Sequence, residues 1–323
     1  MSELTAGDEA FHSLRINKKW RIAEDIWGFE LLDQDGSALP AFDAGAHVTV
    51  VTPGGSRRNY SLSNDPAENH HYVLAVKDEP QGRGGSQSLV SNAQEGDFLM
   101  VSEPSNNFPL VQAGEYLFIA GGIGITPIVS MMRQLKRQGE KNFQLIYCTR
   151  NPETTAFLDE LSGPEFAGHV TLHHDDGDPA KVYDFWPIFE TPKGMHIYSC
   201  GPGPMLAEIR DMSGHWPSEA IHMEDFAADI PVHKKDDKAF SVRHADSGEC
   251  IEIAADATIL EALRKQGHRL PSSCESGTCG TCKSELVAGE ADHRDMVLTD
   301  EEKNHFIMIC VSRALSDELV LRW

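Results

Sequence analysis

Apolar positions change their spacing twice along this chain, and each change marks a different kind of structure. In the first third, the runs HVTVVTP, YSLSND, HYVLAVK and GDFLMVSE alternate or run apolar between Gly, Pro and Asn signals. Short strands joined by turns give that pattern, and it predicts an antiparallel barrel or sandwich over residues 1–111. The order then becomes strand followed by helix, repeated. YLFIA precedes IVSMMRQLKRQG, FQLIYCTR precedes AFLDELS, VTLHH precedes a segment containing YDFWPIF, MHIYSC precedes PMLAEIRDM, and AIHMEDF closes the series. Such alternation predicts an α/β domain over residues 112–228, its parallel sheet covered on both faces.

A charged, proline-containing stretch without periodicity predicts a solvated linker over residues 229–237. Residues 238–323 begin with FSVRH and ECIEIA, which flank the turn Asp246-Ser247-Gly248. The helix TILEALRKQG follows, with Asp256 as candidate N-cap and Gly267 as stop. Two strands, a helix and a cysteine-rich loop in so short a segment predict a β-grasp (α+β) module.

Composition narrows the class. At 323 residues, two or three domains are expected. No apolar run of about eighteen residues exists to cross a membrane, and MSELTAGDEAFHSLRI lacks the basic and apolar regions of a signal peptide. The net charge of −22, from 50 acidic against 28 basic residues, argues against nucleic acid and anionic membranes as partners. Seven cysteines, an odd number, fit a reducing cytoplasmic compartment better than a disulfide framework.

Four of those cysteines carry the strongest chemistry. Cys274, Cys279 and Cys282 are spaced C-x4-C-x2-C, and Cys310 follows a further stretch with a predicted helical segment. That is the plant-type ligand pattern of a [2Fe–2S] cluster. Two irons need four thiolates on one small rhomb, so three come from a single tight loop, where glycines let backbone amides turn toward sulfur. The rival, structural zinc, usually pairs two C-x2-C knuckles, and only one is present.

Three further motifs suit nucleotides. Arg58-Asn59-Tyr60-Ser61 offers a guanidinium for phosphate, an aromatic face and a hydroxyl, all suited to a flavin. Gly82-Arg83-Gly84-Gly85-Ser86 before a short helix forms either an anion nest or an ordinary hairpin turn. Gly121-Gly122-Ile123-Gly124-Ile125-Thr126-Pro127 lies between an apolar strand and an amphipathic helix, where glycines let the backbone approach a pyrophosphate. Thr126 could cap that helix, and a tight structural turn is the alternative. Cys200-Gly201-Pro202 ends a strand, where ligands of such sheets bind, and a buried thiol is the other reading.

In that order, the motifs resemble the ferredoxin–NADP⁺ reductase superfamily, and the C-terminal cysteines narrow the resemblance to its oxygenase reductases. SSCESGTCGTCKSELVAGEADHRDMVLTDEEK and GGSRRNYSLSND are similar to the phthalate dioxygenase reductase family over essentially the whole chain. The resemblance implies an antiparallel β-barrel binding FMN, an α/β domain binding NADH and a plant-type ferredoxin module. Arg58, Asn59, Tyr60, Ser61, Ala75, Val76, Lys77 and Gly82 to Ser86 (Arg83, Gly84 and Gly85 between them) would serve FMN. Gly121, Gly122, Gly124, Thr126, Cys200, Gly201 and Pro202 would serve NADH, and Phe226 would lie against the isoalloxazine. Ser61, Cys200 and Phe226 are the expected catalytic contacts, and Asn59 stands where the family is expected to carry Thr. Arg150 could pair a 2′-phosphate, whereas Asp175, Asp176 and Asp178 would repel one, which favours NADH.

The implied activity is that of a monomeric reductase, passing electrons from NADH through FMN and [2Fe–2S] to a separate Rieske-type terminal oxygenase. Glu275 to Thr281, with Ala291 to Asp295, would dock that partner. A stand-alone flavin or ferric reductase and a redox sensor are the rivals; a sensor would need no flavin.

Overall fold

The computed structural model describes residues 11–323 except Gln81, Arg83, residues 227–233, Lys235, Ser273, Cys274, Ser276, Thr278, Cys279 and Met296. The chain divides into two compact units, Met1–Phe226 and Ala227–Trp323.

The first unit begins with an antiparallel sheet of six strands. They are β1 (Phe11–Ala23), β2 (Ile26–Asp33), β3 (His47–Val51), β4 (Arg57–Ser61), β5 (Tyr72–Lys77) and β6 (Phe98–Ser102), in the order β4-β3-β6-β1-β2-β5. A bridge between Leu62 and Leu74 joins the two outer strands, so the sheet closes into a barrel. Alternation explains its core: Val48, Val50, Leu99, Val101, Leu14, Ile16, Phe29, Leu31, Leu74 and Val76 point inward and are buried. The short helix α1 (Gly85–Asn92) sits against β4 and β5.

The same unit continues into a parallel sheet, β7 (Tyr116–Gly121), β8 (Phe143–Thr149), β9 (Val170–His174), β10 (His196–Cys200) and β11 (Ile221–Glu224). Its order is β11-β10-β7-β8-β9. Near-continuous apolar strands such as YLFIAG, buried throughout, are what a sheet covered on both faces requires. Cover comes from α2 (Ile125–Arg137) and α5 (Gly203–Ser213), whereas AFLDELS and YDFWPIF give only single turns, α3 (Leu158–Leu161) and α4 (Trp186–Phe189). Strand order reverses between β7 and β10, and that topological switch point is where open α/β sheets bind ligands.

The second unit is a β-grasp fold of β12 (Phe240–His244), β13 (Cys250–Ile253), β14 (Lys283–Ala288), β16 (Phe306–Met308) and β18 (Glu318–Arg322). The order is β13-β12-β18-β14-β16, with β15 (Ala291–Asp292) and β17 (Arg313–Ala314) forming a small separate ladder. Helix α6 (Ile259–Lys265) buries Ile259, Leu260 and Leu263 against this sheet. Its cap corrects one expectation. Thr258, not Asp256, starts the helix: its hydroxyl accepts from the Glu261 N–H while the Glu261 carboxylate accepts from the Thr258 N–H. Gly267 ends it in a left-handed conformation, φ 93°, as expected. The helix expected before Cys310 is instead a 3₁₀ turn at Glu302–Asn304 followed by β16.

Candidate functional site

The flavin motif lies on β4, and strand alternation sorts its residues. Arg58 and Tyr60 pair with Val50 and Val48 and share their face, while Asn59 turns to the other and its amide oxygen accepts the Thr49 hydroxyl at 2.9 Å. Burial pushes the Tyr60 phenol well above its ordinary pKa. The buried hydroxyls of Tyr60, Ser61 and Ser88 have no protein partner. Buried polar atoms are nearly always bonded, so three orphans in one region point to a polar ligand.

The start of α1 completes this region. Gly84 caps the helix in a left-handed conformation, φ 77°, with no side-chain cap hydrogen bond and no acidic residue in the first turn. A Cβ at Gly85 would stand 2.6 Å from the Arg58 Nε, so only glycine lets the arginine lie along the helix start. Ser86 turns back, its hydroxyl accepting the Glu79 N–H at 3.3 Å. A guanidinium, free amides of a helix N-terminus and an unpartnered Ser88 hydroxyl suit a phosphate monoester. Gly82 lies in the exposed approach to this helix, and Arg83 lies outside the described residues. On β5, Ala75 and Val76 are buried while Lys77 is exposed and paired with Glu79. The strand packs against the turn Gly122–Gly124, which brings the barrel edge to the nucleotide loop.

That loop and the one after β10 meet at the switch point, and they interlock. A Cβ on Gly124 would lie 2.2 Å from the Cys200 carbonyl oxygen, one on Gly121 2.5 Å from Pro202, and one on Gly201 3.0 Å from the Gly121 Cα. Gly124 is therefore required by the close approach of two backbones, while Gly121 and Gly201 are crowded chiefly by Pro202 and Met205, apart from any phosphate. Gly122 adopts φ 52°, and the buried Tyr147 hydroxyl donates to its carbonyl at 3.0 Å. Thr126 does not cap α2; Gly124 holds that position, and the Thr126 hydroxyl donates to the Ile123 carbonyl at 3.1 Å.

Cys200 is wholly buried, and burial above all, with Glu224 and Asp225 beside it, keeps the thiol protonated far above its ordinary range. It can pack against a ligand but cannot act as a nucleophile at neutral pH. Across the ladder it pairs with Glu224, the last residue of β11. Desolvation raises the Glu224 carboxyl from 4.5 to about 8, and its Oε2 has no protein partner. Sequence reading passed over this residue; the available signal was an acid ending an apolar strand two positions before Phe226. Phe226, 39% exposed, ends the unit and leaves an aromatic face uncovered.

In the second unit, Cys282 and Cys310 are buried, 3% and 2% exposed. Pairing of Lys283 with Met308, extended by the Ile309 N–H to the Cys282 carbonyl, sets them at one end of the β14–β16 ladder. Cys274 and Cys279 lie outside the described residues. Around them Glu275, Gly277 and Gly280 all take positive φ, and a Cβ at Gly277 would lie 2.8 Å from Val311 and 3.2 Å from the Asp295 Cα. Backbone folded that tightly beside two buried thiols fits a small thiolate-held cluster. Arg264 on α6 ties the loop down, donating to the Glu275 carboxylate at 2.6 Å and to the Ser272 hydroxyl.

Comparison with known proteins identifies two of these modules by family and matches the chain as a whole to solved and curated relatives. Residues 242–315 match a 2Fe-2S iron-sulfur cluster binding domain, and residues 118–172 match an oxidoreductase NAD-binding domain. The chain is 52% identical to phthalate dioxygenase reductase of Burkholderia cepacia over 319 residues, 98% of this chain and 99% of that one. It is also 52% identical to the phthalate 4,5-dioxygenase oxygenase reductase subunit of Pseudomonas putida, covering 99% of each. A solved structure of phthalate dioxygenase reductase, described as modular for electron transfer from pyridine nucleotides to [2Fe-2S], superposes with a TM-score of 0.87 over 97% of this chain and 98% of that one.

Proposed function

The chain belongs to the phthalate dioxygenase reductase family, and from that premise we propose that it oxidises NADH and delivers single electrons to a separate Rieske-type terminal oxygenase. The observation that carries the reading is the interlocked pair of glycine turns at the switch point, with the orphan hydroxyls of the β4 strand in the same unit. When bound, FMN supplies conversion of a two-electron hydride donor into a one-electron source, and a [2Fe–2S] centre supplies the one-electron relay. Arg58, the start of α1 and Ser88 would hold the flavin phosphate, and Tyr60 and Ser61 would contact its ring. Gly121, Gly122, Gly124, Thr126, Gly201 and Pro202 would admit the nucleotide, with Cys200 and Phe226 bordering the nicotinamide. No side chain need move a proton for hydride transfer, so these residues work by positioning.

NADH rather than NADPH is supported by the acidic turn after β9. The Asp176 N–H donates to the Arg150 carbonyl at 2.7 Å, which brings Asp175, Asp176 and Asp178 beside the end of β8. Those carboxylates oppose a 2′-phosphate there. In the second unit Cys274, Cys279, Cys282 and Cys310 would ligate iron, and the cluster loop around Glu275 to Thr281, with the segment Ala291 to Asp295, would dock the oxygenase. Phthalate or a related aromatic acid is the substrate class proposed for that partner. We place the reductase in the cytoplasm as a monomer; among the described residues no helix is long and apolar enough to cross a membrane.

The test is an anaerobic NADH titration followed by absorbance and low-temperature EPR. Uptake of about three electrons per chain, two for FMN and one for the cluster, is expected, with a rhombic reduced-cluster signal. Flavin bleaching without that signal would reduce the proposal to a simple flavin reductase.

A further inference from the structure

One face of α2 carries polar side chains where the packing of a nucleotide-domain helix would lead one to expect apolar ones. Ser130, wholly buried, donates from its hydroxyl to the Asn64 carbonyl at 2.8 Å. Arg133, one turn later, donates from Nη1 to the Ser63 carbonyl at 2.6 Å, while its Nε and Nη2 grip both oxygens of Glu160. Arg137 follows at the next turn, paired with Asp65 at 3.0 Å. Positions 130, 133 and 137 lie on one helix stripe. All three bind the tripeptide Ser63-Asn64-Asp65, which begins two residues after Ser61.

Near the same contact, a Cβ at Gly45 would lie 2.0 Å from the Phe108 carbonyl oxygen and 2.9 Å from the Met131 Cε of α2, so barrel and helix pack closely there. From Arg133 back to Ile125, the helix is a rod of about 12 Å. The far end of that rod is the turn Gly122–Gly124.

We propose that this stripe, with Arg133 at its centre, is a positioning device that sets the nucleotide turn against the flavin strand and so fixes the hydride-transfer distance. The proposal rests on the hydride-transfer reading above. The hydrogen bonds of Arg133 and Ser130 go to Ser63, Asn64 and Glu160, none of them assigned above to either ligand; they act through the backbone carbonyls that continue the Tyr60-Ser61 strand. A displacement of about 1 Å between reacting atoms can cost about a hundredfold in rate, so loosening this contact has a measurable cost.

The experiment compares wild type, Arg133→Gln, Arg133→Lys and Ser130→Ala as holoproteins. Three quantities are read: the rate of flavin reduction by NADH in anaerobic stopped flow, the primary isotope effect with 4-deuterated NADH, and NAD⁺ affinity from the flavin difference spectrum at equilibrium. Expected for Arg133→Gln is a fall in reduction rate of about ten- to a hundredfold, a raised isotope effect, an altered NAD⁺-induced flavin spectrum, and an NAD⁺ Kd changed by less than about threefold. Lysine should restore part of the rate, because it can still donate to Ser63. Ser130→Ala, a small deletion, should move the rate in the same direction even if Arg133→Gln folds poorly. Wild-type rates in Ser130→Ala and in a folded Arg133→Gln would overturn the proposal. So would a parallel loss of rate and NAD⁺ affinity with an unchanged isotope effect and no rescue by lysine. A wild-type protein that NADH fails to reduce would overturn the hydride-transfer reading itself, and this proposal with it.

Discussion

Glu224 provides a prediction in which the sign and the size both follow from its surroundings. Its carboxyl ends β11 beside Cys200, has an oxygen shielded from solvent and unpartnered, and titrates near about 8 instead of 4.5 because desolvation disfavours the anion. A group whose folded pKa is raised stabilises fully below its unfolded value, and that stability is lost as pH rises through the folded value. Between about pH 5.5 and about pH 8 the unfolded chain ionises this carboxyl while the folded chain does not, at about 1.4 kcal/mol per pH unit. The accumulated loss is about 3 kcal/mol.

Glu224→Gln keeps the shape and removes the titration. The variant's stability should therefore gain on wild type by about 3 kcal/mol over that interval, or roughly 6–12 °C in Tm for a unit of this size. Urea unfolding of the holoprotein at both pH values, followed by release of flavin fluorescence, measures the difference. Infrared difference spectra should show a protonated carboxyl band in wild type at neutral pH, absent from the variant. A gap between the two proteins that stays constant across the interval would refute the reasoning, because it would mean Glu224 is ionised in the folded state.

Three further outcomes follow from other parts of the molecule. Gly124→Ala places a Cβ 2.2 Å from the Cys200 carbonyl, so the two switch-point loops must part; a destabilisation of about 3 kcal/mol is expected even without nucleotide, read by urea unfolding. Cys310→Ser should abolish the rhombic EPR signal and lower iron content, with flavin reduction by NADH retained, as iron analysis and stopped flow would show. Asp237→Asn strips the main counter-charge from Arg294, which with Arg313 is buried in the second unit, and should cost that unit about 3 kcal/mol in urea followed by cluster bleaching. Hydrogen bonds from Arg294 hold Asp237 down at about 2, so the wild-type contribution is present above 3.8 and lost as pH falls through about 2, and the variant should lack that acid limb.

What was legible in the sequence was local. The C-x4-C-x2-C spacing signals the 2Fe-2S cluster binding domain that residues 242–315 match, because three thiolates for one cluster would have to share a loop, and the strand–helix alternation fixes a parallel sheet for the same reason of short range. β1 was not legible, although it is the longest strand. In FHSLRINKKWRIA the inward Leu14 and Ile16 are followed by register shifts at Ile16/Lys18 and Arg21/Ala23, which break the two-residue period. Lys19 then looks like a surface charge, but its ammonium donates to the Val90 and Ala93 carbonyls at the end of α1. Glu224 was hidden for a different cause: its burial comes from strand register with Cys200, a residue 24 positions earlier.

The glycine turns show where reading by motif gives the right residues with an incomplete reason. Phosphate binding asks only that a backbone amide be approachable, which leaves each turn independent of the other. The geometry instead makes Gly121, Gly124 and Gly201 answer to one another: each stands where the opposite backbone or Pro202 leaves no room for a methyl group. Two consequences separate the accounts. Were phosphate contact the sole demand, alanine at these positions would weaken NAD⁺ binding and leave the ligand-free fold intact. Mutual packing predicts that the ligand-free unit is destabilised first, and that Gly124→Ala and Gly201→Ala combined cost less than the sum of their separate effects, because parting the loops once accommodates both.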